Sequence, residues 1–451
     1  MANVDFSKRD SFGSKFGVIA AAAGSAVGLG NIWRFPYVAG ESGGGAFVLI
    51  YLGFIFLIGM PVMLSEFVIG RRAQLNTFGA FKKLAPGKPW FIIGIMGLVA
   101  AFFILAFYST IAGWTLEYIV KAVSNGFQNQ DTTIIFETFK TSTFKPLLWQ
   151  SVFMFLTGWI VFSGVKNGIE RYTKILMPLL FFLILLMCIR ALTLEGASEG
   201  LEFLFKPDFS KITYGVVLEA LGQAAFSLSI GMGALITYGS YIRKDNNLPK
   251  TAFQVSIADT LIALLAGIMI FPAVFALNMD PQAGPGLVFQ VLPELFMKMP
   301  GGYIFSIVFF TLLAVAALTS TVSLLEVVVA FASEELKMTR TKATIIGSVA
   351  IWLVGIVATL SFSNLSEVTL FDKTIFDLLE YIAANILLPV GAFLIVIFLG
   401  WVLGKRLIAD ELSNEGSIKM KFFGLFVFII KFIAPIGILL VFLNSIGILK
   451  I

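Results

Sequence analysis

Eleven apolar runs, each long enough to cross a bilayer as a helix, decide what this chain can fold into. They occupy approximately residues 17–38, 43–70, 91–121, 147–163, 171–191, 214–241, 252–277, 301–333, 343–361, 374–402 and 422–447. About 20 helical residues cover roughly 30 Å of hydrocarbon. Lipid offers no partner to a free backbone N–H or C=O, so such runs must close their hydrogen bonds internally. Charged residues make up only 13% of the chain, too few to coat a soluble fold of this hydrophobicity. The expected architecture is an all-α polytopic membrane protein, one transmembrane domain over residues 1–451 held in the lipid bilayer.

The formal charge of +5 does not point to nucleic acid, because the basic residues sit in short clusters between apolar runs. With the N-terminus in the cytoplasm, 21 Lys and Arg fall on the inner side and nine on the outer side. That asymmetry predicts a cytoplasmic N-terminus and an extracytoplasmic C-terminus. Lys431, inside the last run, is read as snorkelling. Cys188 is the one cysteine and there is no histidine, which excludes internal disulfides, thiolate metal sites, Ser/His catalysis and a histidine proton relay. No nucleophile lies beside a suitable base, so the chain is not expected to be an enzyme. Residues 1–16 are polar, and no cleaved signal peptide is expected.

One stretch of the first run defeats a plain spanning helix. In Gly24-Ser-Ala-Val-Gly-Leu-Gly-Asn-Ile-Trp-Arg34 three glycines weaken the helix, and Asn31 and Arg34 place polar groups in lipid. A helix broken in mid-membrane frees carbonyls on one side of the break and N–H groups on the other, which suit a cation and a carboxylate respectively. The sixth run is interrupted likewise at Ser227-Leu-Ser-Ile-Gly-Met-Gly233. Taken singly, each glycine cluster could equally serve close helix packing. Their matching positions favour a five-helix unit repeated with inverted topology, the first over 17–202 and the second over 203–402, followed by a loop and an eleventh helix at 403–451.

At these residues the chain resembles the neurotransmitter:sodium symporter family. Its signature stretches are Gly24 to Pro36, Gly43-Gly-Gly-Ala-Phe47, Gly222 to Gly233 and Leu318-Thr-Ser320. The pattern is most similar to the bacterial eleven-helix branch that carries multiple hydrophobic amino acids. The resemblance implies the leucine-transporter (LeuT) type of fold, with helices 1 and 6 unwound at mid-membrane. It also implies a bacterial inner (cytoplasmic) membrane location and sodium-coupled import of hydrophobic L-amino acids by alternating access. A substrate-gated channel or nontransporting amino-acid sensor on the same fold is the alternative. No obligate protein partner is inferred.

By the same resemblance, two Na+ ions are cotransported. The first is held by the Ala26 carbonyl, Asn31, Ser227, Asp259 and the substrate carboxylate. The second takes the carbonyls of Gly24, Val27 and Ala316 with the hydroxyls of Thr319 and Ser320. Asp259 departs from the family, which usually has Asn there, and Ala263 stands where many bacterial relatives carry a glutamate in place of chloride. Asp259 is therefore expected to balance the first sodium itself, with no chloride required and with Tyr51 and Gln223 as polar supports. Its protonation after sodium release would add proton counter-transport.

The substrate carboxylate is expected at the N–H groups of Leu29 and Gly30 and at Tyr108, with the ammonium at carbonyls of Ala26, Phe226, Ser227 and Ser229. Monoamine carriers of the family have an aspartate where this chain has Gly28, so the substrate must bring its own carboxylate. The resemblance also assigns Ile104, Tyr108, Phe226, Met232, Ser320 and Leu324 to the side-chain pocket, where the flexible Met232 is expected to admit aliphatic and aromatic groups. Arg34 and Glu380 are the expected outer gate with Phe226 as lid. Arg9 and Glu334 resemble the family's inner gate pair, with Phe12 and Tyr241 expected to seal around them. Glu66 is expected to brace the unwound part of helix 6. Gly168 and Pro178 make helix 5 easy to unwind, and the resemblance implies that this opens a water path from the inside to the second sodium.

Overall fold

The structure, a computed structural model, describes residues 10–276, 286 and 288–449. Nine of the helices in these residues are continuous, long and apolar enough to cross a membrane. In chain order they are Gly45–Ala73 (span 2), Phe91–Val123 (span 3), Phe144–Phe162 (span 4), Val165–Leu192 (span 5), Leu248–Ala276 (span 7), Gly302–Glu334 (span 8), Arg340–Leu360 (span 9), Ile375–Val402 (span 10) and Phe423–Ser445 (span 11). Two more spans are broken. Span 1 is Lys15–Ala26 followed by Gly30–Glu41 with a bend of 53°. Span 6 is Tyr214–Ser227 and Ala234–Ser240, with residues 228–233 irregular between them. All eleven expected runs are present, in the LeuT-type arrangement with spans 1 and 6 interrupted.

Five shorter helices were not expected: Thr77–Leu84, Thr132–Thr141, Ala197–Phe205, Val291–Lys298 and Lys405–Leu412. They lie in the connections and are amphipathic, so a search for long apolar runs passes over them.

Each break has a local cause. In span 1 the helix ends at Ala26 and Val27 turns extended, with ψ of 108°. Gly24 was expected to help break the helix, yet it stays helical. Its bare backbone instead admits neighbours, since an added Cβ would lie 3.2 Å from Thr319 Cβ and 3.4 Å from Met177 Sδ. In span 6 three residues take the left-handed region: Ser229 at φ 55°, Gly231 at 83° and Gly233 at 77°. Glycine adopts that conformation freely. Ser229 does not, and its hydroxyl donates to the Ser25 carbonyl at 2.8 Å, tying one break to the other. Glu66 Oε1 accepts the Gly231 N–H at 2.7 Å, as expected of the brace.

Span 5 differs from expectation. Pro178 lies inside the continuous helix Arg171–Leu192, and the irregularity is a wide π-turn at Val165–Glu170 that includes Gly168. The span is helical throughout in this conformation.

Packing sets the two sides of the bundle apart. On the N-terminal side, the Phe12 N–H donates to the Tyr241 carbonyl at 3.2 Å. Arg71, buried, donates to Glu411 at 2.5 Å and to the Asn246 carbonyl at 2.7 Å. Lipid provides little hydrophobic drive between helices, so close backbone contact does much of the holding. Gly70 of span 2 lies against the Ile236 carbonyl of span 6, and a Cβ there would overlap that oxygen. Gly53 of the same span faces open space, with nothing within 4 Å. Gly70→Ala is therefore expected to destabilise the protein by about 1–3 kcal/mol through overpacking, while Gly53→Ala is neutral. Melting of the purified variants in detergent checks this, and an unchanged midpoint for Gly70→Ala contradicts it.

Candidate functional site

Four spans bring a polar cluster together where spans 1 and 6 are broken. Asp259 of span 7 accepts from Asn31 Nδ2 at 2.7 Å on one carboxylate oxygen and from Ser227 Oγ at 2.7 Å on the other. Asn31 Nδ2 also lies 2.9 Å from Ser227 Oγ, and the Tyr51 hydroxyl donates to Ser227 at 3.3 Å. All four side chains are fully or almost fully buried. Among the described residues no Lys or Arg forms an ion pair with Asp259; buried Arg71 and part-buried Arg340 pair with Glu411 and Glu326 instead. Neutral donors soften the cost of burying a carboxylate but leave its charge uncompensated, which is worth several kcal/mol. The arrangement calls for a cation. Its amide, hydroxyl and carboxylate oxygens suit a hard ion such as sodium, and no His/Cys/Asp/Glu group that could hold another metal occurs among the described residues. Ala263, one turn along, is buried and adds no charge.

A second cluster lies between span 1 and span 8. Ser320 Oγ is 3.5 Å from the Gly24 carbonyl, 3.5 Å from that of Ser25 and 3.2 Å from that of Val27. Thr319 Oγ1 is 3.4 Å from the Val27 carbonyl and 2.9 Å from that of Ala316. Oxygens bound at right angles to one ion of calcium's size, at about 2.4 Å, lie about 3.4 Å apart. Sodium has that size; among the five expected oxygens, Ser320 to Gly24, Ser320 to Val27 and Thr319 to Val27 lie near this spacing, at 3.2 to 3.5 Å, while Thr319 to Ala316 is shorter, at 2.9 Å. The break makes the carbonyls available. The N–H groups that would take the Gly24 and Ser25 carbonyls in a continuous helix belong to Gly28 and Leu29, which donate instead to Asn31 Oδ1 at 3.2 Å and to the Tyr108 hydroxyl at 3.0 Å. Met177 beside Gly24 puts span 5 against this cluster, next to Pro178.

Above the breaks, a cavity of about 740 Å³ runs from Leu29, Gly30, Tyr108 and Phe226 toward the side opposite the N-terminal segment, where Lys140, Glu380 and Asn444 line it. Most of its wall is apolar or aromatic. The Phe226 ring covers Gly30, where a Cβ would meet it at 3.0 Å, and Gln223 donates to the Gly30 carbonyl at 3.0 Å. Tyr108 and Ser320 close on Gly28, at 3.1 Å and 2.5 Å from where a Cβ would stand, so no carboxylate side chain fits there. Of the expected pocket residues, Tyr108 and Phe226 line this cavity. Ile104, Met232, Ser320 and Leu324 are buried and lie outside its lining.

The outer gate departs from expectation. Arg34 pairs with Glu219 of span 6 at 3.3 Å, not with Glu380, and its guanidinium stands 4.9 Å above the Phe226 ring. The cavity between spans 1 and 10 is open, which leaves Glu380 exposed on its wall while Glu219 is within reach. Glu219 could have been found in the sequence, since it lies two helical turns before Phe226 and therefore on the same face. The N-terminal side is closed. Phe12 packs edge-on against Tyr238 and Tyr241, with centroids 5.7 and 6.0 Å away. Tyr241 donates to Glu326 at 2.7 Å, and Arg340 pairs with Glu326 at 2.6 Å, two groups that sequence reasoning missed. Glu334 accepts from the Asn76 N–H at 2.7 Å. Arg9 lies outside the described residues.

Comparison with known proteins agrees with this geometry. The profile of the Sodium:neurotransmitter symporter family matches residues 9–143 and 139–450. An uncharacterized sodium-dependent transporter of Bacillus subtilis, YhdH, is 43% identical over 440 residues, covering 97% of this chain and 98% of the relative. The sodium-dependent neutral amino acid transporter B(0)AT2 of Bos taurus is 32% identical over 295 residues, 58% of this chain and 40% of its own. Among solved structures, MhsT in complex with L-phenylalanine is 51% identical with a TM-score of 0.89, covering 97% of this chain and all of that one.

Two results are expected from the geometry. Thr319→Val keeps the shape but removes one oxygen of the second cluster, and should weaken sodium binding about tenfold or more, read as a rightward shift in sodium-dependent thermal stabilisation; an unchanged curve contradicts it. Glu219→Gln frees Arg34 for Glu380, so the distance between spin labels at positions 137 and 444 should shorten in the absence of substrate. An unaltered distance distribution would show that Glu219 does not hold the gate open.

Proposed function

Because the chain belongs to the sodium:neurotransmitter symporter family, we propose that it imports hydrophobic L-amino acids, aliphatic and aromatic, together with two sodium ions and without chloride. One observation carries the reading: a buried carboxylate, Asp259, held by neutral donors alone at the meeting point of two broken helices. A cation entering there neutralises it. The charge that a chloride would bring is already built into the chain, and Ala263 leaves Asp259 as its source.

The first sodium binds Asp259, Asn31, Ser227, the Ala26 carbonyl and the substrate's own carboxylate. The second binds the carbonyls of Gly24, Val27 and Ala316 with Thr319 and Ser320. The substrate carboxylate displaces Tyr108 from the Leu29 N–H and takes the N–H groups of Leu29 and Gly30, where the outer half of span 1 begins and its dipole favours an anion. Tyr108 then donates its hydroxyl to that carboxylate. The ammonium goes to carbonyls of Ala26, Phe226, Ser227 and Ser229. Closure of Gly28 by Tyr108 and Ser320 supports a substrate that supplies its own carboxylate. Ile104, Met232 and Leu324 come to line the pocket as the cavity narrows around an apolar side chain.

The cycle is alternating access. Arg34 leaves Glu219 for Glu380 as Phe226 closes, and the inner seal of Phe12, Tyr241, Glu334 and Arg9 then opens. The helix around Gly168 and Pro178 loosens to hydrate the second sodium from the inside. The membrane is a bacterial inner membrane, with the N-terminus cytoplasmic and the C-terminus extracytoplasmic. The phenylalanine held by MhsT and the neutral amino acids named for the bovine relative support this substrate class.

Uptake of radiolabelled leucine and phenylalanine into proteoliposomes tests the proposal. A sodium gradient should drive concentrative uptake of both, and replacing all chloride with gluconate should leave the rate unchanged. Loss of uptake in gluconate contradicts the role given to Asp259, and sodium-independent or purely downhill flux contradicts symport.

A further inference from the structure

Lys431 lies eight residues into span 11, about 12 Å from its first residue. Lipid-facing apolar residues lie on both sides of it along the helix, Phe428 at 51% exposure before it and Phe432 at 47% after it. A cation at such a depth marks a functional site by default, with a partner to be named. Arg71 in span 2 and Arg340 at the start of span 9 have Glu411 and Glu326. Lys431 has no carboxylate within ion-pair distance among the described residues. Its contact is aromatic: the ammonium stands 4.7 Å from the centroid of the Trp401 ring, and Trp401 is 57% exposed on the perimeter.

The surroundings are shaped for this lysine. Gly400 of span 10 receives its stem, since a Cβ there would lie 3.1 Å from Lys431 Cγ. Both helices widen at the contact, with π-turns at Phe398–Val402 and Ile429–Ile433, and such turns inside α-helices are frequent at functional sites. The Trp401 and Phe432 rings meet edge to face at 5.8 Å, forming an apolar wall beside the charge.

We propose that Lys431 and Trp401 bind an anionic glycerophospholipid at the perimeter of spans 10 and 11, its anionic headgroup on the ammonium and an acyl chain along Phe428 and Phe432. The missing partner is an anion, and the apolar rings around the charge require one carried on a hydrocarbon chain. Exposed Lys405, four residues after Trp401, adds positive charge at the same end of the bundle. A second copy of this chain docking by its own identical face would bring like charges together, so lipid is the fitting occupant.

Native mass spectrometry of the full-length protein with equal phosphatidylglycerol and phosphatidylcholine of the same chain length tests this. Wild type should retain the anionic lipid with a preference of roughly fivefold, the size expected for one lysine near an anionic headgroup. Lys431→Gln should abolish the preference, Lys431→Arg should keep it, and Trp401→Leu should reduce it. Should Lys431→Gln fail to fold, the fall in Trp401→Leu decides. Equal retention of both lipids by wild type, a preference unchanged in Lys431→Gln, displacement by inorganic phosphate, or a Lys431-dependent dimer free of lipid would each overturn the proposal.

Discussion

A carboxylate without a counter-cation, enclosed where two helices are interrupted, is the constraint around which the rest of this structure is arranged. Asp259 sits at a depth where water cannot screen it, and the groups that reach it, Asn31 and Ser227, are neutral. In a low dielectric such a charge is tolerable only if something positive visits. The nearby carbonyls of the broken helices add to the same negative potential, since a helix C-terminus carries partial negative charge. The second oxygen cluster is neutral and weaker by that measure, and its span 1 carbonyls come from the same break that precedes Asn31.

Breaking two spans inside a membrane leaves backbone groups that lipid cannot satisfy, and the fold meets this with polar staples. Ser229 donates to Ser25 across the two breaks, Gln223 to Gly30, and Glu66 receives Gly231. Glycines do the complementary work of letting backbones touch, as Gly70 does against Ile236. The broken segments are thus fixed by a few directional bonds rather than by a helical ladder. Tyr108, which accepts the Leu29 N–H, holds one of these few bonds.

The spans were legible in the sequence because about 20 apolar residues can do little else in lipid, and the breaks because glycine clusters there coincide with Asn31 and Ser227. The two oxygen clusters were expected through resemblance to a family, not from spacing: nothing in the pattern of span 8 singles out Thr319 and Ser320 from ordinary helix hydroxyls. What escaped was conformation and polar pairing. Arg34 has two carboxylates within its range, Glu219 and Glu380, and only an open cavity decides for Glu219. The continuous run through Pro178 escaped because the propensity of a proline to disturb a helix does not say in which state the disturbance appears. The Glu326 and Arg340 pair joins spans 8 and 9 by tertiary contact, which no periodicity reveals.

The central claim is that Asp259 is the charge that a cotransported sodium neutralises. Counting radioactive sodium bound to purified Asp259→Asn protein with a hydrophobic amino acid present tests it most directly. The account predicts two ions on the wild type and one on the variant, the survivor being the ion near Thr319. Two ions on the variant, bound as tightly as on the wild type, would contradict it.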